Sequence, residues 1–132
     1  MLALRNPHDA YRRIEFDARV AAARPDQLVA LCYDELALAL GSAIRADQLG
    51  DNQRRSAGLT RALAALTALQ IGIDPGAPAA PALQLFYAGL RQAVLDSVPN
   101  FVPQRLSAAK RDVEEVAAAV GAAADRSILD QS

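Results

Sequence analysis

The chain has 132 residues, of which 52% are hydrophobic and 22% charged, and its net charge is −1 at pH 7. This length suits one globular domain that buries about two-thirds of the surface its unfolded chain exposes, and two domains would be cramped. The near-neutral charge excludes the basic excess typical of nucleic-acid-binding proteins. No apolar run approaches the ~18 residues of a membrane span, and the first residues are too quickly charged for a secretory signal. We therefore expect a cytoplasmic protein without a nucleic-acid partner or membrane insertion.

The N-terminal part of the chain predicts a disordered segment over residues 1–9, followed by a short helix over 10–18. That helix carries Tyr11, Ile14 and Phe16. An aromatic residue on a mobile segment has no fixed core to serve, so Tyr11 is a candidate for contact with a partner or with a groove of the protein itself.

The first long helix is predicted to begin at Pro25. Proline suits the first turn because its missing N–H breaks no bond there, and Asp26 is favoured by the positive end of the helix dipole. One face carries Leu28, Leu31 and Glu35 at helical spacing. A second apolar face runs along Val29, Cys32, Leu36, Leu40, Ala43 and Ile44. Two apolar faces indicate either the centre of a bundle or a helix that is half core and half partner site.

Cys32, Tyr33 and Asp34 of this helix need separate interpretation. Cys32 is the single cysteine and cannot form an intramolecular disulfide, so an inert buried thiol in a reducing compartment is expected. Tyr33 either packs between helices with its hydroxyl bonded to a neighbour, while Asp34 faces water, or both residues edge a partner groove.

Three further helices are predicted downstream. Gly50-Asp51-Asn52 is a turn in which Asp51 or Asn52 caps the next helix, and Gly72 is expected to end that helix in the left-handed conformation. Pro81 suits the first turn of the following helix, which residues 99–103 end. The expected core positions are Leu59, Leu63, Leu66, Gln70 and Ile73, then Leu83, Tyr87, Leu90, Val94 and Val98, then Leu106, Ala109, Val113, Val116 and Val120. Arg54, Arg55 and Arg61 are placed for water.

These elements predict an all-α fold: an antiparallel four-helix bundle with a short additional N-terminal helix. Residues 10–126 form the single domain, and residues 127–132 are expected to be a flexible C-terminus. The abundant alanine has two interpretations. Either it packs a tight small-residue bundle, or it lines a shallow groove that receives a partner helix.

Catalysis is not expected. The one histidine, His8, lies in the predicted disordered segment, so a His-containing dyad or a Glu-x-x-His metal site on the bundle is excluded. Glu114 and Glu115 are better explained as a solvated face than as an acid and base. The segment from Gly72 to Gly76 lacks the Gly-Lys-Ser/Thr end of a phosphate-binding loop. We therefore assign no catalytic, cofactor-binding or metal-binding residues and no cofactor.

Three segments carry a family resemblance. Pro25-Asp26-Gln27-Leu28-Val29 followed by Leu31-Cys32-Tyr33-Asp34 resembles the helix opening of FliS-type flagellar export chaperones, which read roughly Ser-Pro-Glu-Gln-Leu and then Leu-Tyr-Asp-Gly. Tyr11 after Ala10 is similar to the family's N-terminal tyrosine segment, and Leu83 with Leu85-Phe86-Tyr87 resembles its third-helix pattern. The order and distances of the three segments agree over about residues 10–120.

The departures from the family pattern indicate a divergent member. Arg24 replaces the usual Ser or Thr, which removes a side-chain cap from the helix start. Glu35 stands where a glycine often follows the Tyr-Asp pair. The loop over residues 71–81 is richer in proline than usual, and the family's C-terminal tryptophan is absent.

The resemblance implies a chaperone in type III flagellar export that binds the disordered C-terminal segment of flagellin and prevents premature polymerisation. It also implies that the N-terminal segment can occupy the empty groove and yield to the client. Further partners are components of the export machinery and a possible second copy of the chain. Candidate residues of the groove or its N-terminal lid are Tyr11, Ile14, Leu28, Tyr33, Asp34, Leu36, Leu40 and Ile44. The alternative function is a homodimeric helical scaffold or regulatory protein that does not bind flagellin.

Overall fold

The computed structural model describes the backbone of residues 7–22 and 25–130, and the side chains of residues 10–19 and 27–121. Five helices occupy these ranges: α1 (Pro7–Ala22), α2 (Pro25–Gln48), α3 (Asn52–Ile71), α4 (Ala80–Asp96) and α5 (Pro103–Asp130). No strand occurs in them, so the all-α prediction is confirmed. The N-terminal helix is longer than predicted at both ends. The expected disorder of residues 1–6, the missing cap at Arg24 and the last two residues of the predicted flexible C-terminus lie outside the described part, while α5 itself continues to Asp130.

The predicted helix starts agree with the structure. The second helix begins at Pro25, and Pro81 lies in the first turn of α4. Asp51 caps α3, because its side chain accepts a hydrogen bond from the backbone N–H of Arg54 at 3.1 Å. Such a cap satisfies one of the N–H groups that a helix start leaves unpaired.

The glycine in the left-handed conformation is Gly50, and not Gly72 as predicted. Gly72 has a φ of −77°, and its N–H donates to the carbonyl oxygen of Ala68 at 3.0 Å, which continues the helical geometry. The glycine with positive φ among the described residues is Gly50, at 70°, in the turn between α2 and α3. This turn reverses the chain within a few residues, so only there is the freedom of glycine required.

One hydrophobic core lies among α2, α3, α4 and α5. Its largest fully buried side chains are Tyr33, Leu36, Leu40, Leu66, Val94, Leu106 and Val113. The predicted apolar faces therefore point inward along most of their length. Val29 and Val98 are exceptions, at 37% and 62% exposed, and Val98 lies beyond the end of α4 at Asp96.

Small residues bring α2 and α3 close together. Ala39, Ala43 and Ala62 are fully buried, and a Cβ atom on Gly58 would lie 3.0 Å from the carbonyl oxygen of Ala39 and from the backbone nitrogen of Ala43. At that separation the backbones have no space for another methyl group. Part of the alanine content is thus explained by tight helix packing.

The segment Gln27–Gln48 of α2 is long and apolar enough, by length and composition alone, to cross a membrane. This corrects the expectation that no segment approaches such a length. Its apolar residues include Tyr33, Leu36, Ala39, Leu40 and Ala43, which lie in the core. Core packing accounts for part of this composition, since 33% of the most apolar stretch of the segment is buried.

Candidate partner-binding cleft

A cleft of about 560 Å³ lies between α2 and α3 and is lined on its outer side by α1. Helix α2 contributes Cys32 and Glu35, and the α2–α3 turn contributes Asp51. The lining residues of α1 are Ala10, Arg12, Arg13, Phe16 and Asp17. Those of α3 are Gln53, Arg54, Ala57, Thr60, Arg61, Ala64, Ala65 and Ala68. The N-terminal helix thus lies over a groove made by the two helices that pack most extensively on each other.

The floor of the cleft on α3 consists largely of alanine. Ala57, Ala64 and Ala68 follow each other at intervals of seven and four residues, which places them on one face of the helix. Ala64 and Ala68 remain exposed. Both interpretations of the alanine content therefore apply, because one set packs the core and another leaves a shallow groove on its surface.

The large apolar residue that α1 presents to this groove is Phe16, which is half-buried. Tyr11 and Ile14, the residues expected to serve in a lid, are 76% and 69% exposed and are not among the lining residues. Phe16 lies five residues after Tyr11 and two after Ile14, so it occupies a different side of a helix with 3.6 residues per turn. Helical spacing identified α1, but it did not show which of its sides faces the protein.

Charged side chains lie in the floor and at the rim of the cleft. The guanidinium of Arg61 donates from Nε to Oε1 of Glu35 at 2.8 Å, and its Nη2 forms an ion pair with the same oxygen at 2.7 Å. Asp51 lies near Arg54 at 3.6 Å. Outside the cleft, Arg55 bonds Asp47 at 2.9 Å and lies 5.2 Å from the ring centroid of Phe101. The prediction that Arg55 and Arg61 face water is therefore wrong, since both join α3 to another part of the fold.

Cys32 lies in the cleft wall beside Glu35 and is 9% exposed. Burial, with a smaller effect from the Glu35 carboxylate, raises the pKa of this thiol. Both effects disfavour the thiolate, which is the reactive form. The expected burial of this thiol is confirmed, and its raised pKa should make its alkylation slow.

Three of the candidate groove residues lie in the core. Tyr33, Leu36 and Leu40 are 1%, 0% and 1% exposed, so a partner that leaves the core intact does not reach them. The Tyr33 hydroxyl bonds the Tyr87 hydroxyl of α4 at 2.6 Å. This geometry corresponds to the first interpretation of Tyr33, in which it packs between helices.

The remaining candidates lie at the surface or near it. Asp34 is exposed, while Leu28 and Ile44 are half-buried. None of the three lines the cleft. Partner contact at the eight candidate positions stays a prediction, whereas the cleft adds Phe16, Glu35, Arg61 and the alanines of α3, whose spacing was visible in the sequence.

A second, smaller concavity of about 370 Å³ lies between α4 and α5. Its lining includes Leu85, Phe86, Gly89 and Ala108, with Arg105 and Asp112 at its edge. Leu85 is 77% exposed. Among the described residues, no group of three or more His, Cys, Asp or Glu side chains gathers in an arrangement that could hold a metal ion.

The arrangement is a shallow cleft with small residues on its floor and α1 as its outer wall. Comparison with known families gives a match over residues 7–126 to the model of the family described as flagellar protein FliS. The chain belongs to the FliS family. The match extends from the start of α1 to within α5, so the covering helix is part of the family domain. Among curated proteins, no match to the sequence was found.

Membership places the protein among flagellar export chaperones, which are not enzymes. The matched range contains both helices of the groove and α1 over it. The structure also shows where one departure from the family pattern lies. Glu35, which stands where a glycine is common, is the residue that pairs with Arg61 in the cleft floor.

Proposed function

We propose that this protein is a cytoplasmic export chaperone that binds the C-terminal segment of flagellin in the α2–α3 cleft and keeps it from polymerising before type III export. The observation that carries the proposal is the open cleft itself, floored by alanines of α3 and walled on its outer side by α1, which contacts α2. An open groove of small side chains between helices is suited to accept a helix from a partner.

The framework is a single domain over residues 10–126, with α2–α5 as an antiparallel four-helix bundle. Helix contacts support this arrangement: α2 packs on α3 and α5, and α4 also packs on α3 and α5. Each helix then has two neighbours, as in a closed bundle of four. Helix α1 contacts α2 and lies outside this ring.

In the free chaperone α1 acts as a lid. Its contacts with the rest of the protein are fewer than those of any other helix, and its outward residues Tyr11 and Ile14 are solvent-exposed. A helix with so few contacts is released at small cost. Flagellin competes with α1 for the groove. The apparent affinity for flagellin is therefore the intrinsic affinity multiplied by the fraction of molecules in which α1 leaves the groove open.

Binding by occlusion needs a large apolar contact. A disordered segment that folds on its partner loses conformational entropy, and buried apolar area must offset that loss. The cleft supplies an anchor, and exposed apolar residues nearby extend the surface, among them Leu38 on α2 and Ile71 at the end of α3, which are 52% and 80% exposed. Flagellin residues held there are unavailable for contacts with other flagellin subunits.

Alkylation of Cys32 tests whether α1 covers the cleft and whether the client replaces it. The chain has one cysteine, so the rate of iodoacetamide labelling reports a single position. Phe16→Ala is expected to accelerate labelling and to tighten flagellin binding about fivefold, since the loss of a half-buried phenyl group weakens α1 docking by about 1 kcal/mol. A saturating flagellin C-terminal segment should slow labelling again.

Glu15→Ala is the matched control, because it truncates a side chain of the same helix that is exposed and does not line the cleft. It should leave both the labelling rate and the affinity unchanged. Equal effects of the two substitutions would contradict the lid. A labelling rate that flagellin does not alter in any variant would contradict binding in this cleft.

The homodimeric scaffold is the competing function, and the concavity between α4 and α5 favours it. Exposed Leu85, together with Phe86 and Gly89, gives an apolar patch on which a second copy can pack. This account requires a tight dimer that flagellin does not dissociate and that Leu85→Asp disrupts. Sedimentation equilibrium with and without the flagellin segment distinguishes the two functions.

A further inference from the structure

The floor of the α2–α3 cleft contains one ion pair among residues that end at Cβ. Glu35 and Arg61 approach to 2.7 Å, and their side chains are 15% and 20% exposed. Ala57 precedes Arg61 by one helical turn, and Ala64 and Ala65 follow it by one turn, so all share its side of α3. A helix that packs on these alanines is brought directly against the ion pair.

The pair retains hydrogen-bonding capacity toward the cleft. The hydrogen bond from Nε of Arg61 and the close approach of its Nη2 both involve Oε1 of Glu35, and a carboxylate carries a second oxygen that can also accept. A guanidinium also carries more N–H donors than one oxygen accepts. In the open cleft, water can bond these groups. An occupant that covers them removes this water, and an apolar side chain placed there gives nothing in return.

The helix that forms the outer wall of the cleft presents charged side chains to it. Beside Phe16, α1 lines the cleft with Arg12, Arg13 and Asp17. Arg12 and Arg13 precede Phe16 by about one helical turn, and Asp17 follows it directly. The outer wall is therefore mixed, with one aromatic side chain among charged ones, and it suits an occupant that carries polar as well as apolar side chains.

We propose that Glu35 and Arg61 are specificity-determining residues of the cleft. They select a helix that places a hydrogen-bonding side chain over the ion pair next to its apolar anchor, and they discriminate against a helix that is apolar at that position. This inference deepens the proposed function and rests on it, because the selected helix is the flagellin segment. Glu35 adds this selection where the family pattern has a glycine.

The test is a double-mutant cycle across the interface, with the full-length protein and the flagellin C-terminal segment. Each polar residue of the segment is replaced by leucine in turn, and affinities are measured by isothermal titration. With the wild-type protein, we expect one replacement to weaken binding at least tenfold, or about 1.4 kcal/mol. With Glu35→Leu/Arg61→Leu, the same replacement should weaken binding less than about threefold, because no buried charge then lacks a partner.

Asp47→Leu/Arg55→Leu is the matched control. This pair also joins α2 to α3, has side chains 25% and 28% exposed, and does not line the cleft. The control should retain the tenfold effect. If thermal unfolding shows that the Glu35 and Arg61 double variant is not folded, Arg61→Lys replaces it, since lysine keeps the charge but loses the planar donors. With Arg61→Lys, the loss of affinity caused by the leucine replacement in the segment should be at least about twofold smaller than with the wild-type protein.

Each outcome bears on a different claim. Equal discrimination by the wild type and the double variant, or the absence of any tenfold position, would overturn the selection by Glu35 and Arg61 while leaving the chaperone function intact. Failure of the unmodified segment to bind the wild-type protein would contradict the proposed function, and the inference with it.

Discussion

The hydrogen bond between Tyr33 and Tyr87 gives the sharpest prediction for stability. The two hydroxyl oxygens lie 2.6 Å apart, and the residues are 1% and 2% exposed, so water cannot replace a lost partner. Tyr33→Phe leaves the Tyr87 hydroxyl buried and unpaired, and Tyr87→Phe does the same to Tyr33. An unsatisfied buried group costs about 1–3 kcal/mol, so each single substitution should lower the free energy of unfolding by about 1–2 kcal/mol.

The double variant behaves differently, because it removes both hydroxyls and leaves no unpaired group. Its loss should be below about 1 kcal/mol, less than the sum of the single losses, which corresponds to a coupling free energy of at least about 1 kcal/mol. Urea unfolding followed by circular dichroism measures all four proteins. Additive losses in the cycle, or single losses below about 0.3 kcal/mol, would refute the assignment of a buried hydrogen bond that joins α2 to α4.

Three further predictions concern pH, close packing and capping. Burial raises the pKa of Tyr33 and Tyr87, so above about pH 10 the hydroxyls ionise in the unfolded chain first. The free energy of unfolding should therefore fall above this pH, and it should fall less in Tyr33→Phe/Tyr87→Phe, which urea titrations at pH 8–11 measure. Gly58→Ala should destabilise by about 1 kcal/mol because the added methyl group meets the α2 backbone at 3.0 Å. Gly89→Ala, where no atom lies within 4 Å, should stabilise by about 0.5–1 kcal/mol; equal changes in melting temperature would contradict the close approach. Asp51→Ala should cost about 1 kcal/mol through loss of the α3 cap, and an unchanged urea midpoint would count against the bond to the Arg54 N–H.

Helix positions and core faces were predictable because they depend on local chemistry. Pro25 and Asp51 mark helix starts through the missing N–H of proline and the acceptor of an aspartate side chain, and neither depends on distant residues. The pattern of Leu and Val at three and four residues also identified Leu66 and Val113 as core. The conformation of Gly72 was not predictable in this way, since a helix also ends without a left-handed residue.

The cleft was not predictable because it depends on how helices pack. The pattern of α1 is that of an amphipathic helix, but its docking direction decides that Phe16 faces the protein while Tyr11 and Ile14 face solvent. In the same way, Arg61 has the position of a solvent-facing residue on α3 until α2 brings Glu35 to 2.7 Å. Tyr33 was left with two interpretations since its hydroxyl partner lies 54 residues away.

The central claim is that this FliS-family protein binds flagellin through a surface that α1 covers when the client is absent. Isothermal titration of the full-length protein with the C-terminal segment of the flagellin from the same organism tests it most directly, with circular dichroism of the mixture as the parallel measurement. We predict saturable one-to-one binding with a gain of helical signal beyond the sum of the components. A folded protein that shows neither heat of binding nor added helix at high segment concentration would contradict the account and favour the homodimeric scaffold.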